Sequence, residues 1–150
     1  MNLATKNFDY IIVGGGASGL MMAYRMSRDA YFDNKSILII DQVKKLSNDR
    51  TWCFWEKDKG DWDDILNHFW KDIIFKGDNG AMQTSIDPYI YKMIKSSDFY
   101  QKVWKTISTK NNIQFSEENV VKIQQEQSLG VVFTTKNIYH SKKIINSILF

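Results

Sequence analysis

Apolar runs separated by polar turns predict a strand, a helix and a second strand in the first third of the chain. Residues 9–13 and 36–40 are short apolar runs of strand type, and residues 20–28 have helical character between them. Strands buried on both faces read as near-continuous apolar runs, and in parallel sheets a crossover helix joins them. The pattern therefore predicts a β-α-β unit over residues 9–41.

The turn between the first strand and the helix carries the spacing G-x-G-x-x-G. Gly14 permits a tight turn, Gly16 lets the backbone approach a pyrophosphate, and Gly19 lets the helix lie close to the strands. The helix then begins with the N–H groups of Ala17 and Ser18, which present a partial positive charge to phosphates. These residues predict a dinucleotide site. The alternative is a glycine turn that only packs a helix on a sheet.

Two further residues extend the predicted site. Asp41 follows the second strand, 22 residues beyond Gly19, where an acidic residue accepts hydrogen bonds from the adenosine ribose. A carboxylate at this position also argues against NADP, because it would meet the 2′-phosphate. Val120 precedes Ile123 in a V-x-x-I spacing that is often found where flavoprotein backbone meets adenine. The alternative for Val120 is an ordinary strand residue.

The rest of the pattern predicts an α/β protein with an insertion and an antiparallel excursion. A helix is expected to start at Asp98 as its N-cap and to bury Phe99, Val103 and Ile107 on one face. Another short helix is expected at 61–69. Hairpin turns are expected at 77–80 and 128–130. Strands are expected at 51–55, 70–75, 82–86, 113–115, 120–124, 131–135 and 143–148.

This element order predicts one domain over residues 1–150, with an incomplete Rossmann-like FAD/NAD(P)-binding fold of three layers, β-β-α. Flavin-binding sheets commonly carry such an antiparallel excursion. The terminal apolar run, residues 144–150, leads us to expect the N-terminal piece of a longer flavoprotein. The alternative is a natural single-domain protein that ends on a buried strand.

Composition narrows the function classes. The 150 residues carry a net charge of +3 without a basic patch, so no nucleic-acid partner is expected. We expect no metal site, because His68 and His140 are isolated. The one cysteine, Cys53, is expected to be a small buried side chain. With neither a secretory signal nor a membrane span in sight, we expect a cytoplasmic protein.

Residues 48–56, with the sequence N-D-R-T-W-C-F-W-E, resemble a segment of the lycopene cyclase family. Members of that family are FAD-dependent proteins that form β-ionone rings on carotenoids. Residues 9–16 look like the family's opening, and residues 91–100 are similar to its Y-x-M-I-x-x-x-D-F-Y segment. Residues 144–147 stand where the family usually has V-F-N-S. The resemblance runs from residue 9 to about residue 148.

The resemblance implies ring closure of lycopene that begins with a proton, needs reduced FAD and makes no net redox change. NAD(P)H would serve only to reduce the flavin. Peripheral membrane contact is implied only by the substrate, because lycopene dissolves in bilayers. The family's acidic F-L-E-E-T-type segment is expected beyond residue 150, so the catalytic residues stay unknown. The pair Glu117-Glu118 is expected to be solvated. The alternatives are an FAD-dependent monooxygenase or other oxidoreductase, and a non-catalytic nucleotide-binding fragment.

Two interpretations remain open for the residues of the 48–56 segment. Arg50 is predicted to reach the flavin phosphates or ribityl chain, the alternative being a surface arginine paired with the preceding aspartate. Strand alternation places Trp52 and Phe54 on one face and Trp55 on the other. These rings either stabilise a cationic intermediate or pack in the core. Glu56 is either a buried acid near the flavin or a solvent-exposed residue at the end of the strand.

Overall fold

The computed structural model describes residues 4–78 and 80–148, and the contacts divide the chain into two compact units. Unit 1 comprises Met1–Lys45 and Lys102–Phe150, and unit 2 comprises Leu46–Gln101. The insertion predicted after the first β-α-β unit corresponds to unit 2. Asn79 of the predicted hairpin turn, and Leu149 and Phe150 of the terminal apolar run, lie outside the described residues.

Eleven strands and two α-helices follow one another along the described chain. Within residues 4–78 and 80–148, neither helix is long and apolar enough to cross a bilayer. Short 3-10 helices occur at Ala30–Phe32 and Asp63–Ile65. In chain order the elements are β1 (Ala4–Val13), α1 (Ala17–Ser27), β2 (Ile37–Asp41), β3 (Thr51–Lys57), β4 (Leu66–Trp70), β5 (Asp72–Gly77), β6 (Gly80–Ser85), β7 (Tyr89–Lys95), α2 (Ser96–Ile107), β8 (Ile113–Glu117), β9 (Val120–Glu126), β10 (Leu129–Thr134) and β11 (Asn137–Asn146).

Unit 1 contains a six-stranded sheet in the order β8-β2-β1-β11-β10-β9. The first four of these strands are parallel, and Ile12 of β1 is paired with Ile39 of β2 and Ile145 of β11. The hairpin β9–β10 continues the sheet in antiparallel pairing on the first half of β11. The β-α-β unit, the strand β8 and the antiparallel excursion were all predicted from the sequence and are confirmed.

The sheet folds so that its antiparallel part covers one face of its parallel part. Tyr139 is paired with Lys6 near the start of β1, yet it packs with residues near the ends of β1 and β2. This core joins Val132 and Tyr139 to Ile11, Val13, Leu38 and Ile40. On the opposite face Ile39 shares a cavity with Trp104 and Ile107 of α2. Strands therefore form two layers and helices the third, which confirms the predicted β-β-α fold.

Unit 2 contains the three-stranded antiparallel sheet β3-β7-β4 and the two-stranded hairpin β5–β6. The hairpin was predicted from the sequence. The helix predicted at 61–69 is wrong, because only Asp63–Ile65 is helical and Leu66–Trp70 is the strand β4, paired with β7. Asp98 lies in the first turn of α2, which begins at Ser96, and not at its N-cap.

A buried lysine holds the helical turn of unit 2 against the strands. The Lys92 ammonium donates to Glu56 (2.8 Å), to Asp63 (2.6 Å) and to the carbonyl oxygen of Asp58 (2.9 Å). Burial lowers the pKa of Lys92, but the two carboxylates outweigh it and the pKa is raised. Glu56, whose side chain is 30% exposed, is thus the counter-ion of a buried lysine.

The expected burial of Cys53 is wrong, because its side chain is exposed. Exposed and half-buried residues alternate along β3, and Cys53 shares the exposed face with Thr51 and Trp55. Trp52 and Phe54 share the half-buried face, which confirms the predicted alternation.

The expectation that Glu118 is solvated is also wrong, because this residue is only 5% exposed. Its Oε1 atom accepts hydrogen bonds from Ser116 Oγ (2.6 Å), Tyr139 OH (2.6 Å) and Asn137 Nδ2 (2.8 Å), and its Oε2 atom accepts one from Thr134 Oγ1. Burial raises the pKa of the Glu118 carboxyl, but these four donors outweigh it and lower the pKa to about 2. The carboxylate ties the end of β8 to the antiparallel layer.

Because the pKa of Glu118 is lower in the folded state than in the unfolded chain, its charged form stabilises the fold at neutral pH. The shift from 4.5 to about 2 corresponds to about 3 kcal/mol, present above pH 4.5 and lost as the pH falls toward 2. In urea unfolding followed by circular dichroism, Glu118→Gln should therefore lose more stability at pH 7 than at pH 2.5, whereas the same change at the exposed Glu117 should matter little at either pH. Parallel pH profiles for wild type and Glu118→Gln would contradict this assignment.

The close packing of α1 on β1 depends on Gly19. A Cβ at this position would lie 1.9 Å from the Gly14 carbonyl oxygen and 3.1 Å from Ile12 Cγ2. Gly19→Ala should therefore lower the free energy of unfolding by about 2 kcal/mol, although alanine favours a helix interior over glycine by about 1 kcal/mol. Gly16→Ala is the matched control, since no described heavy atom lies within 4 Å of its Cβ position; its cost should stay below about 1 kcal/mol. Equal losses in thermal melts of the two variants would refute this packing argument.

Candidate dinucleotide-binding site

The turn that ends β1 depends on the backbone conformation of Gly14. Its φ is +106°, a backbone conformation that residues other than glycine rarely adopt. Ser147, just after β11, holds this turn in place. Its N–H and hydroxyl donate to the Val13 carbonyl oxygen at 2.8 and 2.9 Å. A Cβ at Gly14 would lie 2.4 Å from Ser147 Oγ, so the turn needs both a glycine and this close neighbour.

The N-terminus of α1 opens into space at Gly16. Gly16 is the N-cap with extended backbone (φ −80°, ψ −171°), and its carbonyl accepts the first helical bond from Leu20 N at 2.9 Å. Among the described residues no side chain caps this helix, and its first turn contains no acidic residue. The N–H groups of Ala17, Ser18 and Gly19 therefore remain without intrahelical acceptors and favour an anion.

Asp41, at the end of β2, lies over the glycine turn. Its Oδ2 atom accepts a hydrogen bond from the Gly15 N–H at 2.5 Å, and its Oδ1 atom faces the Val43 N–H at 3.4 Å. Because an ionised carboxylate offers about four acceptor positions, capacity remains for two ribose hydroxyls. The Gly15 bond fixes the orientation of the carboxylate at this edge of the sheet.

Three of the predicted cofactor residues, Gly14, Asp41 and Val120, line one cleft at the carboxyl ends of β1 and β2. Ile40, Gln42, Glu118, Asn119 and Ile148 complete its walls. Ligands of open α/β sheets bind at this edge, where neighbouring strands connect in opposite directions. A larger groove between β9 and β11, lined among others by Ile123 and Ile144, contains none of the predicted cofactor residues.

Backbone hydrogen bonds hold both residues that precede Val120, Glu118 and Asn119. Glu118 N donates to the Asp41 carbonyl oxygen (2.9 Å), and the Asn119 carbonyl oxygen accepts from Thr135 N (3.0 Å). The prediction from the sequence missed the roles of both Glu118 and Ser147. The N-S pair in the family-like segment was a signal for Ser147. Only Ser116 among the four donors to Glu118 is near it in sequence, and the other three lie 16 to 21 residues away, so the local sequence does not indicate the cluster.

Arg50 belongs to unit 2 and is exposed. Its main chain is held at the start of α2, where its N–H donates to Ser96 Oγ and its carbonyl oxygen accepts from Ser96 N, both at 2.9 Å. Asp49 also contacts Ser96 and accepts from Tyr100 OH at 3.0 Å. These contacts explain why the two family-like segments of unit 2 lie together, and the role of the Arg50 guanidinium stays a prediction.

The aromatic residues of β3 divide between packing and exposure. Trp52 makes edge-to-face contacts with Phe99 (5.3 Å between centroids) and Tyr100 (5.9 Å), so core packing accounts for this ring. Trp55 is 54% exposed and lies beside Tyr91 at 4.8 Å. Among residues 4–78 and 80–148, no group of three or more histidine, cysteine or acidic side chains could hold a metal ion.

Solved structures with this fold include several flavin enzymes. The flavin-dependent monooxygenase PieE, in complex with FAD and substrate, aligns with a TM-score of 0.70 and 12% identity over 93% of this chain and 30% of PieE. The p-nitrophenol 4-monooxygenase PnpA from Pseudomonas putida DLL-E4 aligns with a TM-score of 0.69 and 15% identity over 96% of this chain and 41% of PnpA. PqsL from P. aeruginosa, in complex with 2-aminobenzoylacetate, aligns with a TM-score of 0.69 and 12% identity over 93% of this chain and 42% of PqsL. The chain thus spans less than half the length of these proteins, and the similarity establishes the fold.

Comparison with curated protein sequences gives no match. The profile of the family described as "Lycopene cyclase protein" matches residues 9–144. This match covers both compact units, from the first strand to the last. The chain therefore belongs to the lycopene cyclase protein family.

Proposed function

We propose that this chain binds FAD, with the pyrophosphate on the glycine turn. The observation that carries the proposal is the open space at Gly16, where, apart from the two adjacent residues, no described heavy atom lies within 4 Å of a Cβ position. This space adjoins an uncapped helix N-terminus. A pyrophosphate there would accept from the N–H groups of Ala17, Ser18 and Gly19 and would complement the helix dipole.

The other predicted residues fit the adenosine half of the same cofactor. The Asp41 carboxylate, oriented by Gly15, would accept hydrogen bonds from the adenosine ribose. Val120 lines the same cleft and would meet the adenine through its backbone. Arg50 is proposed as a further phosphate or ribityl contact, on the ground that a planar guanidinium suits phosphate.

The arrangement of the sheet favours FAD over both nicotinamide dinucleotides, and the charge of the site is a further argument against NADP. Antiparallel strands cover one face of the parallel sheet, and PieE, a flavin-dependent monooxygenase of similar fold, was solved in complex with FAD. The Asp41 charge disfavours the 2′-phosphate of NADP, whereas it accommodates the free ribose hydroxyls of FAD and NAD alike. NAD(P)H is proposed only as a reductant of the flavin.

For the whole protein we propose ring closure of lycopene, supported by the family match over residues 9–144. Lycopene would be protonated at a terminal double bond, fold on itself and lose a proton, with no net oxidation. Bound reduced FAD would supply negative charge that stabilises the carbocation. We also propose a cytoplasmic location with peripheral membrane contact, because lycopene dissolves in bilayers.

A redox reaction is the second candidate, because PieE and PnpA are monooxygenases of the same fold. The third candidate is nucleotide binding without turnover. The first two differ in whether NAD(P)H is consumed in proportion to the organic substrate, and the third predicts no product of either kind.

Gly16→Val tests the cofactor proposal. The valine side chain would occupy the open space that we assign to the pyrophosphate, so FAD affinity should fall at least about tenfold, measured by quenching of flavin fluorescence. The folded state should remain, because the added atoms meet no described neighbour. Gly77→Val is the matched control, since its Cβ position is equally open but lies in unit 2. Undiminished FAD binding by folded Gly16→Val would overturn the proposal.

The ring-closure proposal is tested in a lycopene-accumulating bacterium that expresses the longest open reading frame containing this chain. Cyclised carotenoid should accumulate, visible as a change from red to orange and identified by chromatography. Gly16→Val in the same frame should lower the yield about tenfold or more. In extracts, NAD(P)H loss should not rise in proportion to product. Consumption of one NAD(P)H per product molecule would favour the monooxygenase instead.

A further inference from the structure

We propose that Glu118 is a positioning residue for the nucleobase end of the dinucleotide cleft. Its buried carboxylate would hold the main chain of Val120 in position across the cleft from Asp41. This inference rests on the proposed nucleotide binding and deepens it, because it names the group that shapes one half of the site.

The first argument is the place of Glu118 between the two β layers. Its carboxylate accepts from Ser116, at the end of β8, from Thr134, at the end of β10, and from Asn137 and Tyr139, in the first half of β11, on which the antiparallel hairpin is paired. Ser116 is paired with Ile40 of β2, beside the cleft. One side chain therefore links the parallel strands that end at the cleft to the layer that covers them.

The second argument is the short path from this anchor to the cleft. Glu118 N donates to the Asp41 carbonyl oxygen at 2.9 Å, so main chain and side chain of one residue are both fixed. Val120 follows two residues later, begins β9 and is paired with Thr134. Asp41, Glu118 and Val120 all line the cleft, so a shift of the Glu118 anchor would change its width at the Val120 side.

The third argument is chemical. Four side chains each donate a hydrogen bond to this carboxylate. A carboxylate has only acceptors, whereas a glutamine amide presents two donors of its own. In Glu118→Gln the amide hydrogens would face donor groups, and the cluster would have to rearrange. The volume hardly changes, so the variant alters the hydrogen bonding of the anchor and leaves its packing in place.

The test compares two probes on the 150-residue chain, ADP and inorganic pyrophosphate, by titration of amide ¹⁵N–¹H spectra. ADP engages both the nucleobase end and the glycine turn, whereas pyrophosphate engages the turn alone. Glu118→Gln should weaken ADP binding about tenfold and leave pyrophosphate binding within about twofold. Glu117→Gln, an equal charge change at the exposed neighbour, should change neither. A merely structural role would weaken both probes together.

The outcomes separate this inference from the proposed function. If the wild-type chain binds neither probe, the nucleotide site itself is wrong. If it binds ADP and Glu118→Gln binds ADP equally well, or loses both probes in parallel, only the positioning role is wrong. Should Glu118→Gln fail to fold, Ser116→Ala removes one donor and keeps the carboxylate. This variant should weaken ADP binding about threefold without affecting pyrophosphate, and unchanged ADP binding would refute the role.

Discussion

The contact on which the site depends is the close approach of α1 to the end of β1. A Cβ at Gly19 would lie 1.9 Å from the Gly14 carbonyl oxygen, so helix and strand meet without a side chain between them. The same closeness directs the free N–H groups of the helix toward the edge of the sheet where β1 and β2 end. A bulkier residue at Gly19 would move the helix away, and the anion-binding N-terminus would leave that edge. Packing and binding at this turn thus have one cause.

The second half of the site depends on a different kind of interaction. Ser147 and Glu118 contribute polar side chains that fix the main chain around the cleft, one through the Val13 carbonyl oxygen and the other through four side-chain donors. A buried carboxylate is costly unless its acceptors are satisfied, and among the described residues no buried side-chain polar atom lacks a partner. A satisfied polar cluster specifies one arrangement more strictly than apolar packing, which suits a wall that must hold a fixed distance from Asp41.

The sequence predicted those features that local pattern determines, and it failed where distant partners decide. The glycine turn, β1, α1 and β2 follow from apolar runs and glycine spacing, and the three-layer fold follows from their order. The sequence predicted a short helix at residues 61–69, but pairing with β7 makes Leu66–Trp70 a strand. Glu118 was predicted to be a solvated residue in a polar turn, because the sequence around it does not indicate that Thr134 and Tyr139 donate hydrogen bonds to it. Cys53 was misjudged differently, because strand alternation already placed it opposite Trp52.

Two of the family-like segments lie in a different unit from the dinucleotide turn. The glycine turn, Asp41 and Val120 are in unit 1, whereas the segments 48–56 and 91–100 are in unit 2. Within unit 2 these segments form one structure, since β3 pairs with β7 and the main chain of Arg50 is bonded to Ser96. A dinucleotide-binding turn is compatible with many reactions, because phosphates and ribose are common to all of them. Within this chain, the segments that point to the cyclase family rather than to dinucleotide binding in general therefore meet in the β3–β7 pair.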